Sequence, residues 1–597
     1  MTEFRPPTRD IRFVLEHLVD AEGLVKLPGF GHADLETMVG LVEEYGRFCA
    51  AELAPLNRVG DQVGSKLDVE TGAVTTAPGW RDAYARYYEA GWNAVPFDEV
   101  HGGGGFPWVL AVALQEVLNA ANMAFALCPM LTQGAIDMLE HHGSEAQQEV
   151  YLRRMVSGEW TGTMNLTEPQ AGSDVGALTT RAVPAGDGTW RITGQKIFIT
   201  YGDQDLTENI VHLVLARVPD APRGTKGISC FIVPKRLVHD DGTLGERNAV
   251  RCIGIEHKMG IHGSPTCTLE FDGAVGELIG EPNTGMNAMF TMMNTARLSV
   301  GLQGLSIAER AYQDAVAHAG ERVQGRPLGE AAGSAAPIIG HADVRRMLLH
   351  MRSHIEAMRA LAYTNAIAID HAKHALDEDD RTRAAELADL LTPLTKAWCT
   401  DVGSEVARLC TQIHGGMGYV AETGVEQYER DVRIAAIYEG TNGIQAMDLV
   451  GRKLPMRAGG VLADQLAGME ATVADLAGAG DGELADIGAA LADGAAALRE
   501  ATDWLLANGG ADPQNALAGA TPYLRLCSTV VAGWFLARQA LAAREGAAAG
   551  DEFLQAKVAT ARYFAQQVLS TARGLLPSVT AGPEVLFALT PEQLASS

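Results

Sequence analysis

Met164-Asn-Leu-Thr-Glu-Pro-Gln-Ala-Gly-Ser-Asp174 stands where the apolar spacing of this 597-residue chain changes period. Upstream, from Asp34 to about Ser157, apolar residues recur at helical intervals, as in Leu35, Met38, Val39 and Val42, and again from Trp108 to Leu118, a run interrupted by Gln115 and Glu116. From about Thr161 to Gly285 short β-rich runs are set off by turns: Trp190 to Ile192, Lys196 to Thr200, Ile210 to Val218, Ile228 to Val233 and Thr266 to Phe271. Helical spacing returns from Met286 to about Leu454, with Met351, Ile355, Met358, Leu361 and Ala362 on one face. The pattern predicts an α+β multidomain chain: an N-terminal extension over 1–34, a helical domain over 35–160, a β domain over 161–285, a helical bundle over 286–454 and a further helical domain over 455–597.

The last segment is alanine-rich. Its stripes Leu462, Leu466, Met469, Val473, Leu476 and Leu484, Ile487, Leu491, Leu498 suit packing within the chain, with an oligomer seam as the alternative. Glycines 478, 480, 482, 488 and 494 are expected to break any long coiled coil.

Composition removes several classes of function. With 47% hydrophobic and 20% charged residues the chain is globular, not disordered. Lys plus Arg number 47 against 74 Asp plus Glu, a formal charge of −27 that repels nucleic acid and anionic membranes. The eight cysteines are scattered without a CxxC pair and read as reduced structural thiols. The start has no apolar signal core, and apolar stretches such as Cys527 to Ala537 fall short of the ~20 residues that span a bilayer. A cytoplasmic protein without integral membrane association is the expectation. Gly102 to Gly105 reads as a turn into a helix, because no strand precedes it and no Lys-Ser/Thr follows. His257 and His262 lack a suitably spaced third ligand, so no metal site is expected.

Two further segments stand out beside the first: Gly194-Gln-Lys-Ile-Phe-Ile-Thr-Tyr-Gly202 and Ile437-Tyr-Glu-Gly-Thr-Asn-Gly-Ile-Gln445. A glutamate between Tyr and Gly is, taken alone, a solvated loop acid. The three motifs, in this order around a β segment flanked by helices, resemble those of the acyl-CoA dehydrogenase family over about residues 40 to 454.

The resemblance implies an N-terminal helical domain, a central β-barrel-like domain and a C-terminal helical bundle, here with an extra C-terminal helical domain. It implies FAD, an acyl-CoA substrate, assembly as a dimer or dimer of dimers, and α,β-dehydrogenation to a trans-2-enoyl-CoA. Glu439 occupies the family's base position, and its amide would donate to the thioester oxygen, with Tyr438 and Gly440 beside it. Some relatives carry the base one residue before an arginine matching Arg297; here that residue is Ala296. Arg297 and Asn294 are expected near the substrate, as is Ser173.

For the flavin the resemblance implicates Met164, Leu166, Thr167, Ser173, Phe198 and Thr200, then Thr441 and Gly443. It assigns the adenine and diphosphate half to Arg322 and to Gln412, Gly415 and Gly416, partly across a subunit boundary. Arg322-Val-Gln-Gly departs from the family's Arg-x-x-Phe-Gly, which leaves Gln324 without a firm role. The electron acceptor implied is an electron-transfer flavoprotein, with oxygen, in an acyl-CoA oxidase, as the alternative. The two extensions resemble a larger bacterial subgroup acting on medium- to long-chain fatty acyl-CoAs in β-oxidation or on methylthio-substituted ones, as in 3-methylmercaptopropionyl-CoA dehydrogenases. A non-catalytic DNA-binding flavoprotein of the same fold is disfavoured by the charge and by the intact Tyr438-Glu439-Gly440. Between Glu116 and Gln133, expected to line the acyl end, there is no arginine to pair a distal carboxylate.

Overall fold

The computed structural model describes residues 2–239, 241–327 and 335–596. One compact unit consists chiefly of Val42–Ser299, and a second chiefly of Pro7–Leu41 with the chain from Val300 onward.

In the first unit, seven strands form one mixed sheet: β1 (Thr161–Asn165), β2 (Arg181–Pro184), β3 (Trp190–Thr200), β4 (Ile210–Ala216), β5 (Ser229–Pro234), β6 (Val250–Ile255) and β7 (Thr266–Ile279). Their order is β1-β4-β5-β7-β3-β2, with β6 also paired to β7. Only β1 and β4 run parallel, Met164 opposite Leu213; the other pairs are antiparallel. The two short runs Trp190 to Ile192 and Lys196 to Thr200 are one strand. Ile192, Ile199, Val214, Phe231, Leu269 and Phe271 form its apolar core.

Strand β3 carries a β-bulge. Ile199 pairs with Cys267 and Lys196 with Leu269, so Ile197 and Phe198 together face Thr268. Phe198 takes a left-handed backbone, φ +58°, which shifts the side-chain phase and turns its ring outward.

The helix Trp108–His142 is the other determining element of this unit. Gln115 Nε2 donates to Gln133 Oε1 at 2.7 Å, although 18 residues of straight helix would separate them by ~27 Å. The chain folds back at Asn122, whose φ −161° and ψ 89° leave the helical region. Asn122 Oδ1 then accepts the Phe125 N–H at 3.1 Å, as an N-cap does. The element is therefore two antiparallel arms. The turn at Gly102–Gly105 precedes them, and a Cβ on Gly103 would lie 1.9 Å from the Phe97 carbonyl oxygen, so only glycine fits there.

Hydropathy by helix corrects the reading of short apolar stretches. Trp108–His142 and Pro513–Ala548 are long and apolar enough to cross a bilayer, yet their most apolar windows are 100% and 78% buried in the protein. Packing against other elements accounts for that apolar character.

In the second unit, helices Ala342–His374 and Glu378–His414 pack along each other, and Gly460–Gly478, Gly482–Gly509, Pro513–Ala548 and Glu552–Gln567 form the C-terminal bundle. Asp481, Asp512 and Asp551 cap the last three at their N-termini. Both leucine stripes lie within the chain, with Leu462, Leu466, Met469, Leu476, Leu484, Ile487, Leu491 and Leu498 buried. Glycines 478, 480 and 482 mark a helix break as expected, but 488 and 494 lie inside a helix. A Cβ on Gly494 would meet Leu569 at 2.9 Å, so this glycine permits close packing.

The N-terminal helix Thr8–His17 belongs to this unit. Lys557, 1% exposed, donates to Asp10 Oδ1 at 2.6 Å and lies 3.4 Å from Glu356 Oε2, with the rings of Phe13 and Phe553 5.1 and 5.4 Å from its Nζ. All eight cysteines are buried free thiols.

Candidate functional site

In the β-sheet unit, Met164 lies on β1, Leu166 and Thr167 follow it, and Phe198 and Thr200 end β3. Two residues to which sequence reasoning gave no role hold them together. Lys196, fully buried on β3, donates to Glu168 Oε1 at 2.8 Å and to the Leu166 carbonyl at 3.0 Å. The Ile197 N–H donates to the Thr167 carbonyl at 2.9 Å. Glu168 also accepts from the amides of Thr179 and Thr180 at 2.7 and 3.0 Å and from their hydroxyls at 2.8 and 2.6 Å. Burial alone would raise the Glu168 carboxyl, but the charge of Lys196 and these hydrogen bonds hold it down to about 2. Burial pulls Lys196 down to about 8, against the attraction of Glu168, which leaves it charged at neutral pH. The signal for this pair is a lysine on the buried phase of β3, in line with Ile192, where the strand's other polar side chains lie on the exposed phase or at its end.

The loop after β1 is thus tied to the edge of β3, with Met164, Leu166, Thr167 and Thr200 half-buried and Phe198 58% exposed. An aromatic ring on display beside hydroxyls and backbone polar groups suits a planar ring system with a hydrogen-bonding edge. The isoalloxazine of FAD is such a group. Ser173 lies farther along, on an exposed turn.

On the helix Gly285–Glu321, Arg297 is 5% exposed and donates from Nη1 to Asn294 Oδ1 at 3.3 Å; Asn294 itself is exposed and Ala296 buried.

In the second unit the segment around Glu439 is fixed from both sides. The Tyr438 hydroxyl donates to Gln303 Oε1, and Gln445 Nε2 donates to the Glu439 carbonyl at 3.4 Å. Asn442 donates to the Ala397 carbonyl at 3.1 Å and to Asp401 Oδ1 at 2.7 Å, and accepts from buried Lys396 at 2.9 Å. Thr441 Oγ1 accepts the Ile444 N–H at 3.3 Å and caps the short helix Asn442–Asp448, in whose first turn Gly443 lies. Glu439 has φ +54° and Gly440 φ +83°, so a non-glycine residue is held in the left-handed region. Burial, then the neighbouring Glu439 charge, push the Tyr438 phenol upward. Gln303, Asn442 and Gln445 were not assigned a role from sequence, although two of them lie inside the quoted motif.

Arg322 and the Gln412–Gly416 turn end two helices that meet through His318 and His414, whose rings stack 4.2 Å apart. Arg322, Gln412, Gly415 and Gly416 are all exposed, and Gly415 ends its helix with φ +60°. Gln324 is also exposed, and its carbonyl lies 2.9 Å from His341 Nε2. His262 has its ring nitrogens against the carbonyls of Asp61 and Lys258, at 2.9 and 2.8 Å, and no metal-binding group of three is found among the described residues.

Four family models match in chain order. They are the N-terminal domain of acyl-CoA dehydrogenase over 36–159, its middle domain over 163–274, its C-terminal domain over 283–454, and an acetyl-CoA dehydrogenase C-terminal-like domain over 465–590. The chain is 48% identical over 575 residues to 3-methylmercaptopropionyl-CoA dehydrogenase of Ruegeria pomeroyi, covering 95% of this chain and 96% of that one. It is 36% identical over 589 residues to a butyryl-CoA dehydrogenase of Syntrophomonas wolfei, covering 96% of each. The acyl-CoA dehydrogenase of Bacillus anthracis complexed with FAD shares the fold, with a TM-score of 0.73 at 22% identity over 94% of this chain and 90% of that one. With the motifs in place and matches along almost its whole length, the chain is a member of the acyl-CoA dehydrogenase family, an enzyme with FAD as its cofactor.

Proposed function

We propose that this enzyme oxidises a short saturated acyl-CoA to the trans-2-enoyl-CoA, with Glu439 as the base that takes the α proton. Bound FAD supplies the two-electron acceptor. The observation that carries the reading is the backbone at Glu439: a left-handed glutamate, pinned by Tyr438, Asn442 and Gln445, is a costly arrangement for a loop acid without a role. Its carboxylate accepts the proton, while its own amide donates to the thioester oxygen as negative charge develops there. Arg297 and Asn294, with Ser173, are proposed to hold the CoA arm, and Met164, Leu166, Thr167, Phe198 and Thr200 the flavin ring. Arg322, Gln412, Gly415, Gly416, Thr441 and Gly443 are proposed for the rest of FAD, partly that of a neighbouring subunit in a homodimer or dimer of dimers.

Two of the full-length relatives are named for short acyl groups and a third for broad-specificity linear acyl-CoA, so a short substrate is proposed ahead of the medium- to long-chain expectation, with longer linear chains as the alternative. Electron-transfer flavoprotein is the proposed acceptor, and the cytoplasm the proposed location. The test is anaerobic: a saturated short-chain acyl-CoA should bleach the flavin of the purified protein, and Glu439→Gln should keep FAD but not bleach. An FAD-loaded protein that no saturated acyl-CoA bleaches would overturn the reading. Oxygen uptake against reduction of electron-transfer flavoprotein separates dehydrogenase from oxidase.

A further inference from the structure

Lys396 is fully buried on the helix Glu378–His414, and its ammonium donates to Asn442 Oδ1 at 2.9 Å. At the other end of the same amide, Asn442 Nδ2 donates to Asp401 Oδ1 at 2.7 Å and to the Ala397 carbonyl at 3.1 Å, with the Thr400 hydroxyl oxygen 3.0 Å away. Lys396, Ala397, Thr400 and Asp401 fall on one face of their helix, because residues three and four apart are neighbours there. The amide therefore lies with its oxygen toward a cation and its nitrogen toward an anion. Turned over, it would set its NH2 against the ammonium and its oxygen against a carboxylate and a carbonyl, so one orientation alone satisfies the set.

The orientation of this amide bears on the site because of where Asn442 stands. It is the first residue of the helix Asn442–Asp448 and comes three residues after Glu439; Gln445 of that helix donates to the Glu439 carbonyl at 3.4 Å. On the other side, Tyr438 is tied to Gln303 of the helix Gly285–Glu321. Glu439, at φ +54°, and Gly440, at φ +83°, lie between these two anchors. A glutamate in the left-handed region persists only where its surroundings over-determine it. Gln303 determines one end of the turn, and the Asn442 amide ties the other to the helix Glu378–His414.

We propose that Lys396 and Asp401 are positioning residues for Glu439: cation and carboxylate clamp the Asn442 amide in one orientation, and the clamped helix start holds Glu439 in the left-handed turn from which its carboxylate reaches the α proton. Neither residue meets the substrate or takes a proton; both act through Asn442. The inference rests on the reading of Glu439 as the base and names what aims it.

The experiment is anaerobic stopped-flow reduction of the FAD-loaded enzyme by butyryl-CoA, read as the limiting rate and the half-saturating concentration. Lys396→Met and Asn442→Ala should each lower the limiting rate by about ten- to a hundredfold, the loss that a misplacement of about 1 Å brings. FAD content and half-saturation should stay near those of the wild type, which a general loosening of the fold would not allow. The double variant should be no slower than Asn442→Ala alone, because both changes break one clamp. Asp401→Asn keeps an oxygen to accept from Asn442 and should keep the rate, whereas Asp401→Leu should join the slow variants. In Asn442→Ala the pH profile of the limiting rate should drop without moving its midpoint, since no titrating group is removed. If Lys396→Met does not fold, Asp401→Leu, at an exposed residue, carries the comparison with Asn442→Ala. A wild-type limiting rate in a folded Lys396→Met or Asp401→Leu enzyme, or losses that multiply in the double variant, would overturn the clamp. Should Glu439→Gln still bleach, the base reading falls and the clamp with it; an inactive Glu439→Gln beside fast clamp variants overturns the clamp alone.

Discussion

Glu168 is 2% exposed and takes hydrogen bonds from Thr179, Thr180 and Lys196, whereas Arg322, Gln412, Gly415 and Gly416 all lie exposed at the ends of two helices. Glu168 fixes the loop proposed for a flavin ring, and the second group is proposed for the diphosphate half of FAD, partly a neighbouring subunit's; the two are held by different physics. The first is fixed by a buried charge that must be paired to exist at all. The second is placed by helix ends and one stacked imidazole pair, with its polar groups facing out. A preformed edge for the ring and an unfinished surface for the diphosphate is the pattern expected if a neighbouring subunit completes the second half.

The largest expected effect bypasses both regions and sets the scale for them. Glu439→Gln should lower the rate of flavin reduction by ~10² to 10⁴ while leaving FAD content and thermal unfolding unchanged. A parallel loss of FAD would show that the Tyr438–Gln445 segment holds cofactor as much as it performs chemistry.

Next comes Lys196→Met, which leaves Glu168 buried without its counter-charge. It should cost about 3 to 5 kcal/mol in denaturant unfolding, with FAD lost in consequence. The same pair sets an acid limit. Glu168 is held at about 2 in the fold against an ordinary value near 4.5, so its stabilisation is complete above about 4.5 and is lost as pH falls toward 2. Acid unfolding followed by circular dichroism should be less steep in Glu168→Gln than in the wild type. Equal slopes would mean that other carboxylates dominate the acid limb.

The smallest effect belongs to the exposed region. Arg322→Ala should weaken FAD binding by about 1.5 to 3 kcal/mol, measured by release of fluorescent flavin, while apoprotein unfolding stays unchanged. An apoprotein destabilised as much as by Lys196→Met would erase the contrast between the regions.

Much of this was legible in the chain itself. The change from helical to alternating spacing near Thr161 coincides with the start of the sheet, and the leucine stripes of the tail are buried, because periodicity reports burial directly. The fold-back at Asn122 was not legible. Asn122 is neither Gly nor Pro, and the one proline of the segment, Pro129, lies well inside the second arm. Gln115 and Glu116, read as interruptions of an apolar face, are 6% and 0% exposed, and Gln115 pairs with Gln133 of the second arm. The Glu168–Lys196 pair escaped notice because its partners are 28 residues apart and join only when β3 forms. Likewise, the turn of Phe198 toward solvent depends on a bulge, which single-strand alternation does not encode.

The contact between Asp10 and Lys557 joins residues 547 positions apart, so it also has a meaning in time. At ~5 to 20 residues per second, roughly 30 to 110 s separate the emergence of the helix Thr8–His17 from that of its ammonium partner. Until then the helix Thr8–His17 lacks the ammonium beside Asp10 and the ring of Phe553 beside Phe13, although Arg352 and Arg359 of the helix Ala342–His374 act on Asp10 from an earlier stage. It must wait while the sheet unit, complete by about residue 299, is already free to form. The first segment made thus receives its last contacts only near the end of synthesis, and a chain stalled or cut before Lys557 leaves Asp10 without its ammonium partner.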